Sequence, residues 1–440
     1  MALFGTDGIR GLANRDLTAE LALDVSVAAA HILVESSSNK DHQPTAIVGQ
    51  DSRASGEFLE AAVVAGLTSA GINVYRVGVL PTPAIAHLVA ESKADLGVMI
   101  SASHNPMPDN GIKLFARGGG KLDDAIEARI EARMGEDWER PTGRNVGRAI
   151  NDDTATERYL KHLLASVQTP LKGLKIVVDC ANGASSFVAP EAYRRAGAEV
   201  VAIYNKPDGW NINDDCGSTH LHHLRAAVLK EGADVGIAHD GDADRCLAID
   251  ADGNLVDGDY ILAILAKEWK VQTVVGTVMT NLGFIKAMTE TGIAFEKTPV
   301  GDRYVLENML ANGHKLGGEQ SGHIIMRDFA NTGDGLLTAL QLMSVMAKYK
   351  KSLSELAKVM VRFPQVLINV DGVNKANLTT SKAIAAAIGD NESKLGANGR
   401  ILLRASGTEP LVRVMVEAES AVMAEEIASK LAALVRLELS

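Results

Sequence analysis

Two related stretches decide the fold, ADLGVMISASHNP at residues 94–106 and ADVGIAHDGDADR at residues 233–245. Each opens with Ala-Asp, continues as an apolar run typical of a buried strand, and ends in a loop rich in reactive side chains. Their likeness indicates two copies of one structural unit. In open α/β sheets ligands bind beyond the carboxyl ends of the strands, so we expect chemistry in both loops.

Alternating strand and helix patterns extend outward from these two stretches. A βαβ series begins at Thr45, a second at LKIVVDCANG (174–183), and a third at TVVGTVMT (273–280). Beyond Pro364 the pattern changes to strands and helices without that alternation. The sequence therefore predicts an α/β protein with three similar mixed-sheet domains and a smaller C-terminal α+β domain around a central cleft. The predicted domains are residues 1–152, 153–252, 253–366 and 367–440.

Composition excludes several classes of function. The 440 residues contain 44 Lys plus Arg against 55 Asp plus Glu, a formal net charge of −11, which argues against a nucleic-acid partner. The three cysteines show no CxxC spacing, so neither a disulfide framework nor a thiolate zinc site is indicated. No secretory signal and no apolar run of membrane-spanning length is recognisable. We expect a cytoplasmic protein with no membrane partner.

The loop that ends the second stretch has the residues of a metal site. Asp240, Asp242 and Asp244 alternate along HDGDADR, and an extended loop would turn all three carboxylates to one side. Three converging anions call for a cation, and Mg²⁺ is the first choice for oxygen ligands. An EF-hand reading fails, because Arg245 and Ala251 stand where Gly and Glu are needed. A solvated acidic turn stays the alternative.

The loop that ends the first stretch contains a candidate nucleophile. Ser103 and His104 follow the strand directly, and a serine there could attack or carry a phosphoryl group. The alternative is a turn in which the serine caps backbone groups. The sequence contains no GxSxG, GxGxxG or GxxxxGK[ST], so a hydrolase elbow, a dinucleotide fold and a P-loop are all unsupported.

Three further loops carry candidate binding groups. In GEQSGH (318–323), Glu319 and Ser321 could hold sugar hydroxyls and His323 could move protons. In FGTDGIRG (4–11), Asp7 and Arg10 lie between glycines. RASGTEP (404–410) combines donors that suit a phosphate, namely Arg404, Ser406, Gly407 and Thr408. For all three loops a plain turn is the alternative.

Together with GQDSRASG (49–56) and DNGIK (109–113), these motifs resemble the α-D-phosphohexomutase family over essentially the whole chain. The resemblance implies that Ser103 is a phosphoserine and that one of its phosphate oxygens joins the three aspartates in holding one Mg²⁺. It implies that Glu319 and Ser321 select the sugar. The residues implied around the transferring phosphoryl are Arg10, His104, Lys113 and Arg245. Those implied to hold the distal phosphate are Arg404, Ser406, Gly407, Thr408 and Arg413.

The implied activity moves a phosphoryl group between the 6 and 1 positions of a hexose through a bound 1,6-bisphosphate. The GEQSGH loop and VGDRYV (300–305) are most similar to members that act on glucosamine phosphates for amino-sugar nucleotide and cell-wall precursor synthesis. Glucosamine 1,6-bisphosphate would then be intermediate and activator. Mannose or glucose phosphates, a phosphatase and a silent sugar-phosphate binding protein are the rivals. Lys113, His104 and His323 stay open as the general base, and a homodimer is implied by analogy alone.

Two positions depart from the family pattern. Ala243 stands where the metal loop usually has glycine, and we expect no positive φ there, since alanine would be strained. His239 precedes the loop, where an aromatic residue is common. We expect it to pack or to form hydrogen bonds and not to bind the metal.

Overall fold

The structure is a computed structural model that describes residues 3–5, 7–35, 43–405 and 411–440. The chain forms two compact units. The first comprises Met1–Val278 with Ile293–Lys358, and the second comprises Met279–Gly292 with Val359–Ser440. Among the described residues, no helix combines the length and apolarity needed to cross a membrane.

The first sheet of unit 1 surrounds the strand of the SASHNP stretch. Its strands are Ile9–Leu12 (β1), Thr45–Gln50 (β2), Asn73–Val79 (β3), Leu96–Ile100 (β4), Asp109–Ala116 (β5) and Ala149–Asn151 (β6). They lie in the order β1-β5-β4-β2-β3-β6. Every residue of β4 is buried, as expected for a strand covered on both faces. The accompanying helices are Ala19–Glu35 (α1), Gly56–Ser69 (α2), Thr82–Ser92 (α3) and Asp124–Ala132 (α4).

The second sheet contains the strand of the HDGDADR stretch. Its strands are Lys175–Asp179 (β7), Glu199–Ile203 (β8), Val235–Ala238 (β9), Leu247–Asp250 (β10) and Leu255–Val256 (β11), in the order β11-β10-β9-β7-β8. β7 pairs in parallel with both β8 and β9, and β10 runs antiparallel to β9. The helices of this part are Ala155–Ala165 (α5), Val188–Arg195 (α6) and His222–Glu231 (α7).

The third sheet repeats this arrangement. Thr273–Thr277 (β12), Ala294–Thr298 (β13), Leu316–Gly318 (β14) and Ile324–Met326 (β15) take the order β13-β12-β14-β15. In all three sheets the first strand of the βαβ series (β2, β7 or β12) lies between the second and third strands of that series, which are parallel to it, and an antiparallel fourth strand follows. The predicted threefold repeat is confirmed. The helices are Gly258–Trp269 (α8), Leu282–Glu290 (α9, within unit 2), Asp302–Asn312 (α10), Gly335–Tyr349 (α11) and Leu353–Leu356 (α12).

Unit 2 has the predicted α+β character. Gln365–Asp371 (β16), Arg400–Ala405 (β17) and Leu411–Glu417 (β18) form an antiparallel sheet in the order β16-β18-β17. Lys382–Leu395 (α13) and Ala421–Leu439 (α14) contribute to its apolar core. Short 3₁₀ helices occur at Gly143–Asn145, Gly217–Thr219, Ala357–Val359, Lys375–Asn377 and Gly396–Asn398. The predicted fold class is confirmed, while the predicted domain boundaries stay predictions.

Helices α3 and α5 meet at a pair of histidines that makes stability depend on pH. His87 and His162 stack with ring centroids 3.9 Å apart. Burial, with repulsion from His162, lowers the pKa of His87 to about 4. The unfolded chain binds this proton near pH 6.5, so folding is fully supported above that pH and loses support as the pH falls towards 4.

We therefore expect His87→Gln to lessen the acid sensitivity of folding. Because the His87 ring is partly open to solvent, which screens its charge, we expect this group to lower the free energy of unfolding by roughly 1 kcal/mol between pH 7 and pH 5, and the variant should lack that fall. Urea unfolding at the two pH values measures it. His220→Gln, at an exposed position, serves as the control. An unchanged pH dependence in His87→Gln would contradict the expectation.

Candidate active site

Ser103 lies just beyond β4, buried and fixed by its backbone. It adopts φ +52°, a left-handed conformation, and its N–H donates to Ser101 Oγ at 2.9 Å. The Ser103 side chain donates from Oγ to Asp240 Oδ2 at 2.5 Å. The predicted nucleophile and the predicted metal loop are therefore in direct contact, as the family resemblance implied.

Arg53, in the GQDSRASG motif, holds the Ser103 loop in place. Its guanidinium is 2% exposed, pairs with Asp51 at 3.0 Å and donates to four backbone carbonyls. The carbonyls belong to Ser103, Asn105, Pro106 and Asp109, at 2.6 to 3.1 Å. The motif belongs to the family pattern, but the sequence does not indicate a role for Arg53. An arginine between small residues does not reveal that its carbonyl partners lie some 50 positions away.

Arg53→Met is expected to damage both folding and activity. It leaves the Asp51 carboxylate buried without its cation, which costs about 3–5 kcal/mol of unfolding free energy. It also releases the Ser103 carbonyl, and a displacement of about 1 Å there should lower turnover about 10²-fold. Arg195→Met, which breaks a more exposed ion pair with Glu157, should leave both nearly unchanged. Thermal unfolding and turnover at permissive temperature measure the two effects, and wild-type values for Arg53→Met would contradict this role.

The aspartate loop is a turn and not the extended segment that we predicted. Ala243 N–H donates to the Asp240 carbonyl at 3.1 Å, which closes a tight turn. Ala243 adopts φ +57°, so the expectation that this position avoids positive φ is wrong. The turn itself demands that conformation, and the chain tolerates alanine there at a cost in backbone strain. Curvature, not alternation along a strand, brings the carboxylates together.

The three carboxylates suit a hard divalent cation. Asp240, Asp242 and Asp244 are each at most 3% exposed, and one oxygen from each lies within 4.8 Å of the others. Among the described residues, Asp242 Oδ1 and Asp244 Oδ1 are buried and have no hydrogen-bond partner. Buried carboxylate oxygens without partners are costly, and Mg²⁺ would satisfy them with the ligand type that it prefers. The residues present therefore fit the ion.

Cations enclose this acidic centre. Lys113 Nζ lies 2.8 Å from Asp242 Oδ2 and 3.7 Å from Asp244 Oδ2. Arg245 Nε lies 3.9 Å from both Asp240 and Asp244. Arg10 pairs with Asp7 and reaches Asn105 Oδ1 at 3.5 Å. His104 Nδ1 is 3.3 Å from Ser103 Oγ. The structure thus brings the predicted phosphoryl-site residues Arg10, His104, Lys113 and Arg245 around Ser103 and the aspartates.

Burial and neighbouring charges shift the pKa values of these groups in different directions. Burial, reinforced by Asp244 and Asp242, raises the pKa of Asp240 to about 7. Burial and the positive charges of Arg245 and Arg10 lower the pKa of His104 to about 4. Burial opposes the charge of Lys113, but Asp242 and Asp7 outweigh it and raise its pKa. In this arrangement His104 is neutral and Lys113 is an ammonium ion.

The GEQSGH loop connects β14 and β15 and packs against the aspartate loop. Cys246 N–H donates to the Gly322 carbonyl at 3.0 Å. Glu319 Oε1 accepts the Gly301 N–H at 3.1 Å, and the Ser321 hydroxyl is buried without a hydrogen-bond partner. An unpartnered buried hydroxyl suits a ligand that brings its own polar groups.

His323 faces two carboxylates. Its Nδ1 lies 3.5 Å from Asp244 Oδ2, and its Nε2 lies 3.2 Å from Asp302 Oδ2. Although burial opposes it, Asp302 and Asp244 raise the pKa of His323 to about 9. Gly333 N–H also donates to His323 Nε2 at 3.1 Å when the ring is neutral and its proton lies on Nδ1, beside Asp244.

His239 has a structural role, as predicted. It is fully buried, its Nδ1 lies 2.9 Å from the Arg245 carbonyl, and its Nε2 lies 2.7 Å from the Tyr193 hydroxyl. Both ring nitrogens are therefore satisfied by protein groups, which leaves neither for a metal.

Within unit 2, two of the predicted phosphate ligands are cross-strand neighbours. Arg404 on β17 lies directly opposite Arg413 on β18. Facing residues of an antiparallel pair project to the same face of the sheet, so both arginines lie on one face. Ser406, Gly407 and Thr408 lie outside the described residues.

Four family models match almost the whole chain in order. They are the phosphoglucomutase/phosphomannomutase α/β/α domains I, II and III, at residues 1–140, 157–253 and 257–363, and the C-terminal domain at 367–434. The chain belongs to this family. The resemblance of the motifs is thereby confirmed.

Relatives and solved structures of the family agree. Proteins named phosphoglucosamine mutase from Streptomyces griseus and Thermobifida fusca are each 60% identical, over 99% and 100% of this chain and 98% and 99% of theirs. A phosphoglucomutase/phosphomannomutase family protein from Burkholderia thailandensis superposes with TM-score 0.83 at 23% identity, covering 100% of this chain and 98% of that one. Aspergillus fumigatus N-acetylphosphoglucosamine mutase, in complex with GlcNAc-6P and magnesium, gives TM-score 0.69 at 18% identity, covering 100% and 96%. These structures share the fold.

Proposed function

We propose that this protein is an isomerase that interconverts glucosamine 6-phosphate and glucosamine 1-phosphate. The observation that carries the proposal is the buried contact between Ser103 Oγ and Asp240 Oδ2, at 2.5 Å, beside two further aspartates. A serine in that place can carry a phosphoryl group next to a cation. The choice of glucosamine is supported by the name phosphoglucosamine mutase, which relatives 60% identical over their full length bear.

In the proposed reaction Ser103 starts as a phosphoserine. The bond between phosphorus and Ser103 Oγ breaks, and the sugar C1 oxygen bonds to phosphorus and yields its proton to a base. The product is glucosamine 1,6-bisphosphate. It turns over within the site, where the bond between the 6-phosphoryl phosphorus and O6 breaks and Ser103 Oγ bonds to that phosphorus. O6 takes up the proton that the base received, and glucosamine 1-phosphate is released. No water is consumed, and the phosphoserine is regenerated.

Positioning and charge stabilisation carry such a transfer. One Mg²⁺ per chain, held by Asp240, Asp242, Asp244 and a phosphoserine oxygen, would supply positive charge to the phosphoryl oxygens. Lys113 and Arg245, already within 4 Å of the aspartates, place two further cations there. A phosphoserine adds up to two negative charges, so these cations allow a second anion, the sugar phosphate, to enter.

The proton that leaves the sugar hydroxyl needs an acceptor within hydrogen-bond reach. His104, beside Ser103 Oγ, is neutral and can accept it, whereas Lys113 and His323 hold their protons through carboxylate partners. All three stay candidates, because a bound phosphoryl group changes the charge around each. Arg10 donates to the transferring group in this proposal.

The remaining ligands select and retain the sugar. Glu319 and Ser321 bind its hydroxyl and amino groups. The phosphate that is not being transferred is bound by Arg404, Ser406, Gly407, Thr408 and Arg413. Retention matters, because losing the bisphosphate would leave Ser103 without its phosphate until the lost bisphosphate, acting as activator, restored it. We place the reaction in the cytoplasm, where glucosamine 1-phosphate would supply UDP-N-acetylglucosamine and peptidoglycan precursor synthesis.

Turnover of three hexose 6-phosphates tests the substrate. With Mg²⁺ and a catalytic amount of sugar 1,6-bisphosphate, we expect the highest kcat/KM for glucosamine 6-phosphate. Preference for mannose or glucose 6-phosphate would contradict the glucosamine assignment and keep the mutase. Stoichiometric release of free phosphate would instead identify a phosphatase.

A further inference from the structure

The segment Gly301–Arg303, which begins α10, connects the sugar loop to the first domain. Gly301 N–H donates to Glu319 Oε1 at 3.1 Å, and Asp302 Oδ2 lies 3.2 Å from His323 Nε2. From the other side, Asp302 pairs with Lys121, which stands just before α4. The segment Gly301–Arg303 thus contacts both Glu319, implied in sugar binding, and His323, implied in proton transfer. Lys121 in turn binds this segment through Asp302.

Lys121 and Asp302 complete a closed ring of polar contacts. Lys121 Nζ lies 2.6 Å from Asp7 Oδ1, and Asp7 Oδ2 lies 2.8 Å from Lys113 Nζ. Lys113 faces Asp244 at 3.7 Å, Asp244 faces His323 at 3.5 Å, and His323 returns to Asp302. Carboxylates therefore alternate around the ring with the two lysines and with His323, whose imidazole lies between Asp244 and Asp302.

The ring is shielded from solvent. The Lys121 side chain is 9% exposed and that of Asp302 is 14% exposed, against 64% and 60% for the surface pair Lys315–Asp328. Buried charges interact strongly because little water screens them, so displacing one partner moves the others. The position of Asp302 is therefore transmitted to His323 on one side and, through Lys121 and Asp7, to Lys113 on the other.

A second link between the same helices provides a comparison. Arg303 Nη2 pairs with Glu127 Oε1 at 2.8 Å, and Arg303 also pairs with Asp124, both on α4. This link fastens α10 to α4, and in the described residues Glu127 forms no hydrogen bond or ion pair with a ring member, although its carboxylate is attracted by the charge of Lys121. If the Lys121–Asp302 pair served only to fasten α10 to α4, it would duplicate the ion pairs that Arg303 forms with α4.

We propose that Lys121 and Asp302 are positioning residues, which fix the sugar loop relative to Ser103 and so set both the transfer geometry and the choice of sugar. The inference rests on the proposed mutase function and extends it. Loss of the pair frees Gly301 and Asp302 to shift, so that Glu319 and His323 lose their fixed places while the ligands of the aspartate site are retained.

The test compares Asp302→Asn and Lys121→Met with Glu127→Gln in the full chain. We expect each ring variant to lose about 10²-fold in kcat/KM for glucosamine 6-phosphate, mostly in kcat. Discrimination against mannose 6-phosphate should fall about tenfold, because Glu319 is no longer held. Lys121→Arg, which keeps the charge, should recover part of the loss. Glu127→Gln should lower the melting temperature comparably, yet leave kcat and discrimination within about twofold.

Equal losses in Asp302→Asn and Glu127→Gln, or unchanged sugar discrimination in the ring variants, would overturn the positioning role. Should a ring variant fold poorly, Lys121→Arg and Asp302→Glu take its place, since they keep both charges but move them: lower kcat/KM with weaker sugar discrimination supports the proposal, and a lower melting temperature with both kinetic values unchanged contradicts it. An inactive wild type would refute the mutase function itself, whereas an active wild type with active ring variants refutes only this inference.

Discussion

Ser103→Ala is expected to lose mutase turnover by about 10⁴-fold or more, since the side chain that carries the phosphoryl group is gone. In the described residues Ser103 Oγ lies 2.5 Å from Asp240 Oδ2 and 3.3 Å from His104 Nδ1, groups that we assign to the cation and to proton transfer. The loop should keep its shape, because Arg53 and Ser101 bind the backbone of Ser103 and not its hydroxyl. Circular dichroism and a coupled assay of glucosamine 1-phosphate formation measure both points.

The matched control is Ser393→Ala, which removes an exposed hydroxyl that donates to the Gly389 carbonyl within α13. It should turn over as the wild type does. If Ser103→Ala kept full turnover, Ser103 would not carry the phosphoryl group and the proposed mechanism would be wrong.

Asp242→Asn is expected to disable the metal site and with it the reaction. Asp242 contributes one carboxylate to the triad and accepts hydrogen bonds from Lys113 and Thr82 at 2.8 and 2.5 Å. Without its charge we expect Mg²⁺ affinity to fall by more than about 10²-fold and kcat/KM by about 10³-fold. The loss should appear at all pH values at which the wild type is active.

Mg²⁺ binding to the folded chain provides a readout independent of turnover. At a concentration about 100 times its dissociation constant, the ion should stabilise the wild type by about 2.7 kcal/mol, and Asp242→Asn should lack this gain. Asp215→Asn is the control, since Asp215 is an exposed carboxylate near His222 and His223. An equal rise in melting temperature with Mg²⁺ in wild type and Asp242→Asn would place the ion elsewhere.

Local pattern was enough to predict the sheets and the loops at their ends. The apolar runs of β4 and β9, with their shared Ala-Asp openings, predicted equivalent strands, and the structure places both at equivalent positions in their sheets. Because β4 and β9 belong to different sheets, their likeness does not bring their loops together, and only the family resemblance implied that Ser103 lies beside the aspartates.

Features that depend on distant contacts could not be predicted in this way. The positive φ of Ala243 follows from the tight turn, whereas a period-2 reading assumed an extended loop. Arg53 binds carbonyls 50 or more positions away, and Lys121 meets Asp302 across 181 positions. No local spacing rule encodes such pairs, which exist only because separate βα series fold against each other.

The central claim is that Ser103 carries the phosphoryl group, and intact mass measurement tests it most directly. After incubation with glucosamine 1,6-bisphosphate and Mg²⁺, the wild type should gain about 80 Da, and peptide mapping should place the phosphate on Ser103. Ser103→Ala should gain nothing, and added glucosamine 6-phosphate should remove the label from the wild type. A phosphate on another residue, or a wild type that stays unmodified while turning over substrate, would contradict the account.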